Sequence, residues 1–413
     1  MGAQVERNWS ENVTYSPAAL LRPGSVEELQ EIVAVSARVK ALGTRHSFTD
    51  AADTPGGALV SLAGLDDTVH VDHDTMTADV PGGASYGVVA TQLEAAGVAL
   101  ANMGSLPHIS VAGATATGTH GSGDTKKVLA DAIQGVELVR PGGELRRIER
   151  GDPEFDAVVV GIGAFGLITR LTLFVEPSYR MRQDLYRDLS WDEVLGDFGG
   201  LMASADSVNV QGRFAHPTAA VVIRKSRDLD DAPETLFGGR RDHEDPEAGP
   251  QHTPRRGEPG PWHLRLPHFH LEHPPSAGGD ELQTDYMVAR EDASAAIQAL
   301  RDMGDAIDPH LWGFEIRSVA GDDFWLSPAH GRDSVSIGFT WKKHVAEVTA
   351  LLPEVEAALA PFAPRPHWGK LFALPPEVLV DTLPRYRDFF ELVEHLDPAG
   401  VFANPFLDRL RPT

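Results

Sequence analysis

Cysteine is absent from the 413 residues, which excludes disulfides, thiolate metal sites and iron–sulfur ligation. No apolar run approaches the roughly 20 residues that a membrane-spanning helix needs. Positive charge is the scarce sign: 36 Lys and Arg stand against 60 Asp and Glu, a formal charge of −24. Such a field repels a phosphate backbone, and no clustered basic stripe opposes it, so a nucleic-acid partner is not expected. The opening residues lack an apolar stretch behind a basic end, and Glu6 stands where a myristoylation signal needs Ser or Thr. The expectation is a cytoplasmic monomer with no membrane partner. What is present, 42% hydrophobic and 23% charged residues, is ordinary for a globular enzyme, and the length suggests two or three domains.

Ser25 followed by Glu28, with Val26, Leu29, Ile32 and Val33 as an apolar stripe, predicts a capped helix over 26–37. A strand over 39–42 then feeds a turn at Gly43-Thr44-Arg45-His46-Ser47. Strand patterns recur over 58–62, 69–71 and 76–80, and Gly82-Gly83 opens a helix to residue 96. The stretch 103–123 is dominated by Gly, Ala, Ser and Thr, too small to build a core but suited to a backbone that approaches a flat ligand. Strands are predicted over 133–139, 311–319 and 334–341, and a helix over 346–360. Residues 228–279 concentrate Pro, Gly, Asp, Glu and His, which reads as a long surface excursion or mobile insertion. The organisation is α+β, with a second domain beginning near residue 176.

Gly161-Ile162-Gly163-Ala164-Phe165-Gly166 matches the G-x-G-x-x-G string and follows an apolar run, 157–160, that reads as a strand. A dinucleotide fingerprint needs a helix to start at these glycines. Here Leu167, Thr169, Leu171, Leu173 and Val175 alternate with Ile168, Arg170, Thr172 and Phe174, the period of a strand. A hairpin or tight turn is expected instead of a nicotinamide site.

Three segments together carry a family likeness: Ala41-Leu42-Gly43-Thr44-Arg45-His46-Ser47-Phe48; Gly104-Ser105-Leu106-Pro107-His108-Ile109-Ser110-Val111-Ala112-Gly113, running on to Thr117-Gly118-Thr119-His120-Gly121-Ser122-Gly123; and His367-Trp368-Gly369-Lys370. In order and spacing the chain resembles the FAD-linked oxidases of the vanillyl-alcohol oxidase (PCMH) type, and within them the alditol and aldonolactone oxidases. The resemblance implies a two-domain α+β FAD-binding fold with an inserted α+β substrate domain. FAD would be held by residues 1–175, a substrate cap would span 176–375, and 376–413 would return to the FAD domain. It implies covalent FAD through His46, with a pyrophosphate wrapped by the turn that Gly43, Thr44, Arg45 and Ser47 supply. Leu42, Ser105, Ser110, Gly113, Thr117, Gly118, Thr119, His120, Gly121, Ile168 and Lys370 complete the implied cofactor contacts. The implied reaction oxidises a terminal hydroxyl of an alditol such as xylitol, sorbitol or glycerol, with O2 reduced to H2O2. An aldonolactone oxidase or dehydrogenase of the same fold, or a flavin- or polyol-binding protein without turnover, are the other readings.

Removing a hydride from an alcohol carbon requires the hydroxyl proton to leave, so the site needs a base or a cation for the developing alkoxide. Arg317 and Lys370 are the candidates. In Phe314-Glu315-Ile316-Arg317 a strand puts Glu315 and Arg317 on one face, as a pair aimed at a pocket or as an exposed ion pair. Lys370, beside apolar Trp368 and near Arg317, is expected to have a lowered pKa and to act either as base or as electrostatic clamp. Ser105 resembles the family serine at the reacting edge of the flavin and joins Glu315, Arg317 and Lys370 as a substrate contact. His367 packs or hydrogen-bonds nearby. In one departure, Gly338 stands where the alditol-oxidase pattern tends to place a histidine, which removes a hydrogen-bond partner and opens space. His263, His268, His270, Glu272 and His273 are read as a solvated strand face with no metal.

Overall fold

The structure, a computed structural model, describes residues 6–230 and 232–412. Residues 1–5, on which part of the reading of the chain's start rests, lie outside the described residues, as do Asp231 and Thr413.

Ser25 Oγ accepts the Glu28 N–H at 3.2 Å while Glu28 reaches back to the Gly24 N–H at 2.7 Å, which starts the helix Val26–Val35. Its buried residues Leu29 and Val33 pack with Val39, Val60 and Phe402. The helix stops two residues before the expected end, where the Ser36 hydroxyl bonds the Ile32 carbonyl. A three-stranded parallel sheet sets Ala58–Ser61 between Ala19–Leu21 and Val39–Leu42. Beside it a five-stranded antiparallel sheet runs in the order His70–Asp72, Thr77–Pro81, Leu167–Phe174, Ile133–Val139, Leu145–Glu149. The second helix begins only at Tyr86, because Ser85, and not the glycine pair, supplies the capping oxygen.

The G-x-G-x-x-G string is a tight turn. Residues 157–160 are not a strand: Phe155–Val158 is a short helix buried at Phe155, Ala157 and Val158. A short apolar run looks the same buried as helix or as strand. Ile162 and Gly163 follow at positive φ, and Leu167–Phe174 is a strand with Leu167, Thr169, Leu171 and Leu173 buried. No helix starts at the glycines, as the alternation required.

The largest element is a ten-stranded sheet. Its centre runs Arg180–Ser190, Thr218–Ser226, Ser207–Gly212, Leu311–Val319, Ser334–Lys342, Glu281–Ala289, all antiparallel. Strand alternation gives this sheet two unlike faces. Val210, Ile316, Ile337 and Tyr286 lie in register and share a core with Ile297, Leu300, Val348 and Leu352 of the helices Ala293–Asp302 and Val345–Leu359. The opposite face is polar. Residues 228–279 differ from the expected surface excursion: Trp262 and Leu266 join the core, and Arg255 forms a buried pair with Asp245 at 2.9 Å. Part of its charge is paired internally, while residues such as Glu234, His243 and Glu247 stay exposed. No helix among the described residues is long and apolar enough to cross a membrane.

Candidate active site

A cavity of about 280 Å³ lies between the turn 43–47, the small-residue stretch 104–119 and the polar face of the large sheet. Strand Val39–Leu42 delivers the chain into the turn, and Thr44 Oγ1 accepts the Ser110 N–H at 3.0 Å, tying the two segments. A Cβ at Gly43 or Gly113 would lie 2.5 or 2.7 Å from Ser110 Oγ, so glycine at both positions leaves the Ser110 hydroxyl its place between the two segments. Arg45 adopts φ 65° and pairs with Glu6. The N–H groups of Gly43, Thr44, Arg45, His46 and Ser47 have no protein acceptor among the described residues. Such a row of free amides beside a cavity is a concave anion site, suited to a pyrophosphate.

At the end of this row His46 Nδ1 sits 3.2 Å from Thr44 Oγ1, while its buried Nε2 has no partner. The ring stacks on Trp9, with centroids 5.1 Å apart, and tilts toward His108. Burial first, then the neighbouring His108, pushes the His46 pKa down to about 4. The imidazole is therefore neutral at pH 7 and keeps a lone pair.

Facing this turn, the polar face of the sheet presents rows of side chains set by register. Asp285, Gly338, Glu315 and Gln211 are paired across adjacent strands, and Ser336, Arg317 and Asn209 form the next row. Glu315 pairs with Arg317, accepts from Gln211 Nε2 at 3.0 Å and lies 3.4 Å from His268 Nδ1. Arg317 is 8% exposed. Burial lowers its pKa, opposed by Asp285, and a guanidinium stays charged at neutral pH all the same.

Trp368 anchors the loop that carries Lys370. Its indole is fully buried and donates to the Leu326 carbonyl at 2.6 Å. The Gly369 carbonyl accepts from Phe48 N at 2.7 Å and Ser47 Oγ at 3.1 Å, joining the loop to the turn 43–47. His367 Nε2 meets Thr119 Oγ1 at 3.1 Å, and burial, followed by the Lys370 charge, pushes its pKa down to about 3. The apolar neighbour expected for Lys370 thus turns away, and the group that meets its ammonium is Asp285, 2.9 Å from Nζ. Burial alone would raise the Asp285 pKa. The Lys370 ammonium, His120 and His367 hold it well below the usual carboxylate range.

The cavity wall brings together Leu42, Gly43, Thr44, Arg45, His46, Ser47, Ser105, Ser110, Gly113, Thr117, Thr119, His120, Ile168, Glu315, Arg317 and Lys370. Two expected contacts are not on it. Gly118, at φ 70°, packs against Pro328, and a Cβ at Gly121 would lie 2.0 Å from Asn102 Oδ1, so both serve close chain packing behind the wall. The histidines of 263–273 share no strand face: the residues from 265 to 273 form no strand, and His268 alone reaches the site. Among the described residues no group of three or more His, Cys, Asp or Glu could hold a metal ion. Trp9, Lys40, Gln283, Asp285 and Thr340 also line the cavity and were not anticipated. Asp285 had a signal: Glu281, Gln283 and Asp285 alternate with Leu282, Thr284 and Tyr286, the same pattern that puts Glu315 and Arg317 on one face.

These features fit FAD: free amides for the pyrophosphate, an unpartnered imidazole nitrogen farther along, and a polar face opposite. Comparison with known proteins agrees. Residues 17–149 match the FAD binding domain family, and residues 281–410 match the D-arabinono-1,4-lactone oxidase family. The chain is 29% identical to an L-gulono-1,4-lactone dehydrogenase of Mycobacterium tuberculosis, covering 98% of each. A solved cholesterol oxidase from B. sterolicum superposes with a TM-score of 0.78 over 99% of this chain and 97% of its own, at 15% identity, which speaks for the fold alone. An alditol oxidase of a Streptomyces species is 41% identical over 97% of both chains, and on that relation the chain belongs to the alditol oxidase family of the FAD-linked oxidases of vanillyl-alcohol oxidase type.

Proposed function

We propose that the protein oxidises a terminal hydroxyl of an alditol such as xylitol, sorbitol or glycerol to the aldehyde, with O2 reduced to H2O2, using FAD bonded covalently to His46. The observation that carries this reading is the polar sheet face, where two ion pairs, Lys370 with Asp285 and Arg317 with Glu315, flank a gap at Gly338 on the cavity wall. Flavin, when bound, supplies the hydride acceptor and returns the electrons to O2. The chain's part is binding, orientation and charge.

A polyol is a row of hydroxyl groups, and Glu315, Gln283 and Thr340 offer acceptors along the wall. Lys370 Nζ and the Arg317 guanidinium supply positive charge on the wall for an alcohol oxygen that becomes anionic. Held as the ammonium half of an ion pair at 2.9 Å, Lys370 is suited to a clamp. The neutral His46, stacked on Trp9 with Nε2 unpartnered, supports the covalent bond to flavin. We assign cofactor binding to 1–175 and 376–413 and the substrate cap to 176–375. The large sheet, whose central strands run from Arg180 to Lys342, supports that division.

A second reading, an aldonolactone oxidase or dehydrogenase, is favoured by the match over 281–410. A peroxide assay across xylitol, sorbitol, glycerol and L-gulono-1,4-lactone tests the choice. Faster peroxide release from an alditol is the expected result. Turnover of the lactone alone would replace the alditol reading, and no reduction of the flavin by any of them under anaerobic conditions would favour a binding protein.

A further inference from the structure

We propose that Asp285 is a positioning residue of the reaction, the carboxylate that fixes the Lys370 ammonium at the cavity wall. Asp285 lies in the middle of the strand Glu281–Ala289, next to the edge of the sheet, and uses both oxygens. Oδ1 accepts from Ser336 Oγ at 2.7 Å, and Oδ2 meets Lys370 Nζ at 2.9 Å and His120 Nε2 at 3.4 Å. Its side chain is 1% exposed, against 17% for Lys370, so of the two partners, both on the cavity wall, the ammonium is the more open. A charge buried that deeply persists only where it is paired and hydrogen-bonded.

Gly338 makes the room. It is in register with Asp285 on one side and Glu315 on the other, and a Cβ there would lie 3.3 Å from Asp285 Oδ2. The two carboxylates therefore keep separate cations, Asp285 with Lys370 and Glu315 with Arg317. Asp285 belongs to the strand Glu281–Ala289, whereas Lys370 belongs to the loop that bonds Ser47 and Phe48. The ion pair thus sets the height of a reacting-site cation by the sheet, against a loop tied to the cofactor turn. The titratable groups around the carboxylate are His120 from the small-residue stretch, Lys370 and His367 from the loop, and Arg317 and Glu315 from the strand beyond Ser334–Lys342.

This inference rests on the oxidase reading above. Its test is anaerobic stopped-flow reduction of the flavin by xylitol between pH 6 and 10, on the full chain with bound cofactor, for the unmodified protein, Asp285→Asn, Asp285→Glu and Ser336→Ala. Asp285→Asn should lower the limiting rate at least about tenfold, with a smaller change in the half-saturating concentration. It should also bring the loss of rate at high pH to lower pH, because the ammonium has lost its counter-charge. Asp285→Glu should recover part of both effects, and Ser336→Ala should shift the profile the same way by less. A purely structural role would not move the pH profile. Asp285→Asn reducing its flavin within about twofold of the unmodified rate, on an unchanged profile, overturns the proposal. Should that variant fail to fold with flavin, Ser336→Ala decides: a shifted profile supports the proposal and an unshifted one overturns it. If xylitol does not reduce the unmodified protein, the alditol reading fails separately, and the same four proteins are compared with L-gulono-1,4-lactone.

Discussion

The two walls of the cavity are built by opposite means. The wall proposed for the cofactor is local: the turn 43–47 and the stretch 104–119 are contiguous runs, with glycines at 43 and 113 closing on Ser110. The substrate wall is assembled across strands: Asp285, Gly338 and Glu315 come from three separate parts of the chain and meet only through register. A backbone cradle tolerates little change of residue size and makes few demands on distant partners. A register-built face couples every charge to the next strand, so losing one partner leaves the other buried and uncompensated.

The largest effect expected is on the cofactor wall. His46→Ala should release all of its flavin on acid denaturation, while the unmodified polypeptide keeps yellow fluorescence on a gel. Release from the unmodified chain as well would remove the covalent bond from the account and leave the two walls equal in binding only. Next come the charges of the substrate wall. Glu315→Gln and Arg317→Ala should each lower turnover on the order of a hundredfold while the flavin spectrum persists. Breaking a buried pair also costs about 3 to 5 kcal/mol of stability, so folding is checked first. Turnover of xylitol at the unmodified rate by both variants would return that pair to a structural role.

A smaller effect sharpens the boundary between the walls, where His367 bonds Thr119. Its pKa, about 3 in the folded chain, is depressed from an unfolded value of about 6.5. The unfolded chain therefore binds more protons in that window. The stability His367 contributes is complete above about pH 6.5 and is lost as pH falls toward 3, by at most about 1.4 kcal/mol per pH unit. Urea unfolding at pH 7 and 4.5 should show a smaller acid loss for His367→Asn than for the unmodified protein. Equal losses would mean that the histidine is protonated without cost in the folded state.

The same contrast explains what could be read before the fold was known. The turn at 43–47, the strands Ile133–Val139 and Leu311–Val319 and the same-face pair Glu315 and Arg317 follow from local pattern and periodicity, whereas the cofactor role of the turn follows from the family resemblance. Asp285 was not singled out, although its alternation was visible, because its meaning depends on pairing with Gly338 and on a loop 85 residues away. Adjacency sets Trp368 beside Lys370, yet in this tight loop residues two apart point to different sides, and the indole goes to the core. Residues 228–279 looked solvated by composition, but pairing of opposite charges let Arg255 and Asp245 be buried. Gly118 and Gly121 show that a glycine in a binding stretch can serve packing behind the wall.

The central claim is that the substrate wall supplies positive charge to the transition state, with Lys370 as its main carrier. Anaerobic stopped-flow reduction of the flavin, followed against pH and substrate concentration for the unmodified protein and Lys370→Ala, tests it directly. The account predicts a limiting rate lower by about a hundredfold or more, roughly 2.7 kcal/mol, with a much smaller change in substrate binding. It also predicts that the unmodified rate falls once the ammonium is deprotonated at high pH. Reduction of the variant within about threefold of the unmodified rate, a barrier change of only about 0.65 kcal/mol, would contradict the claim and leave the His-Trp-Gly-Lys segment with a packing role alone.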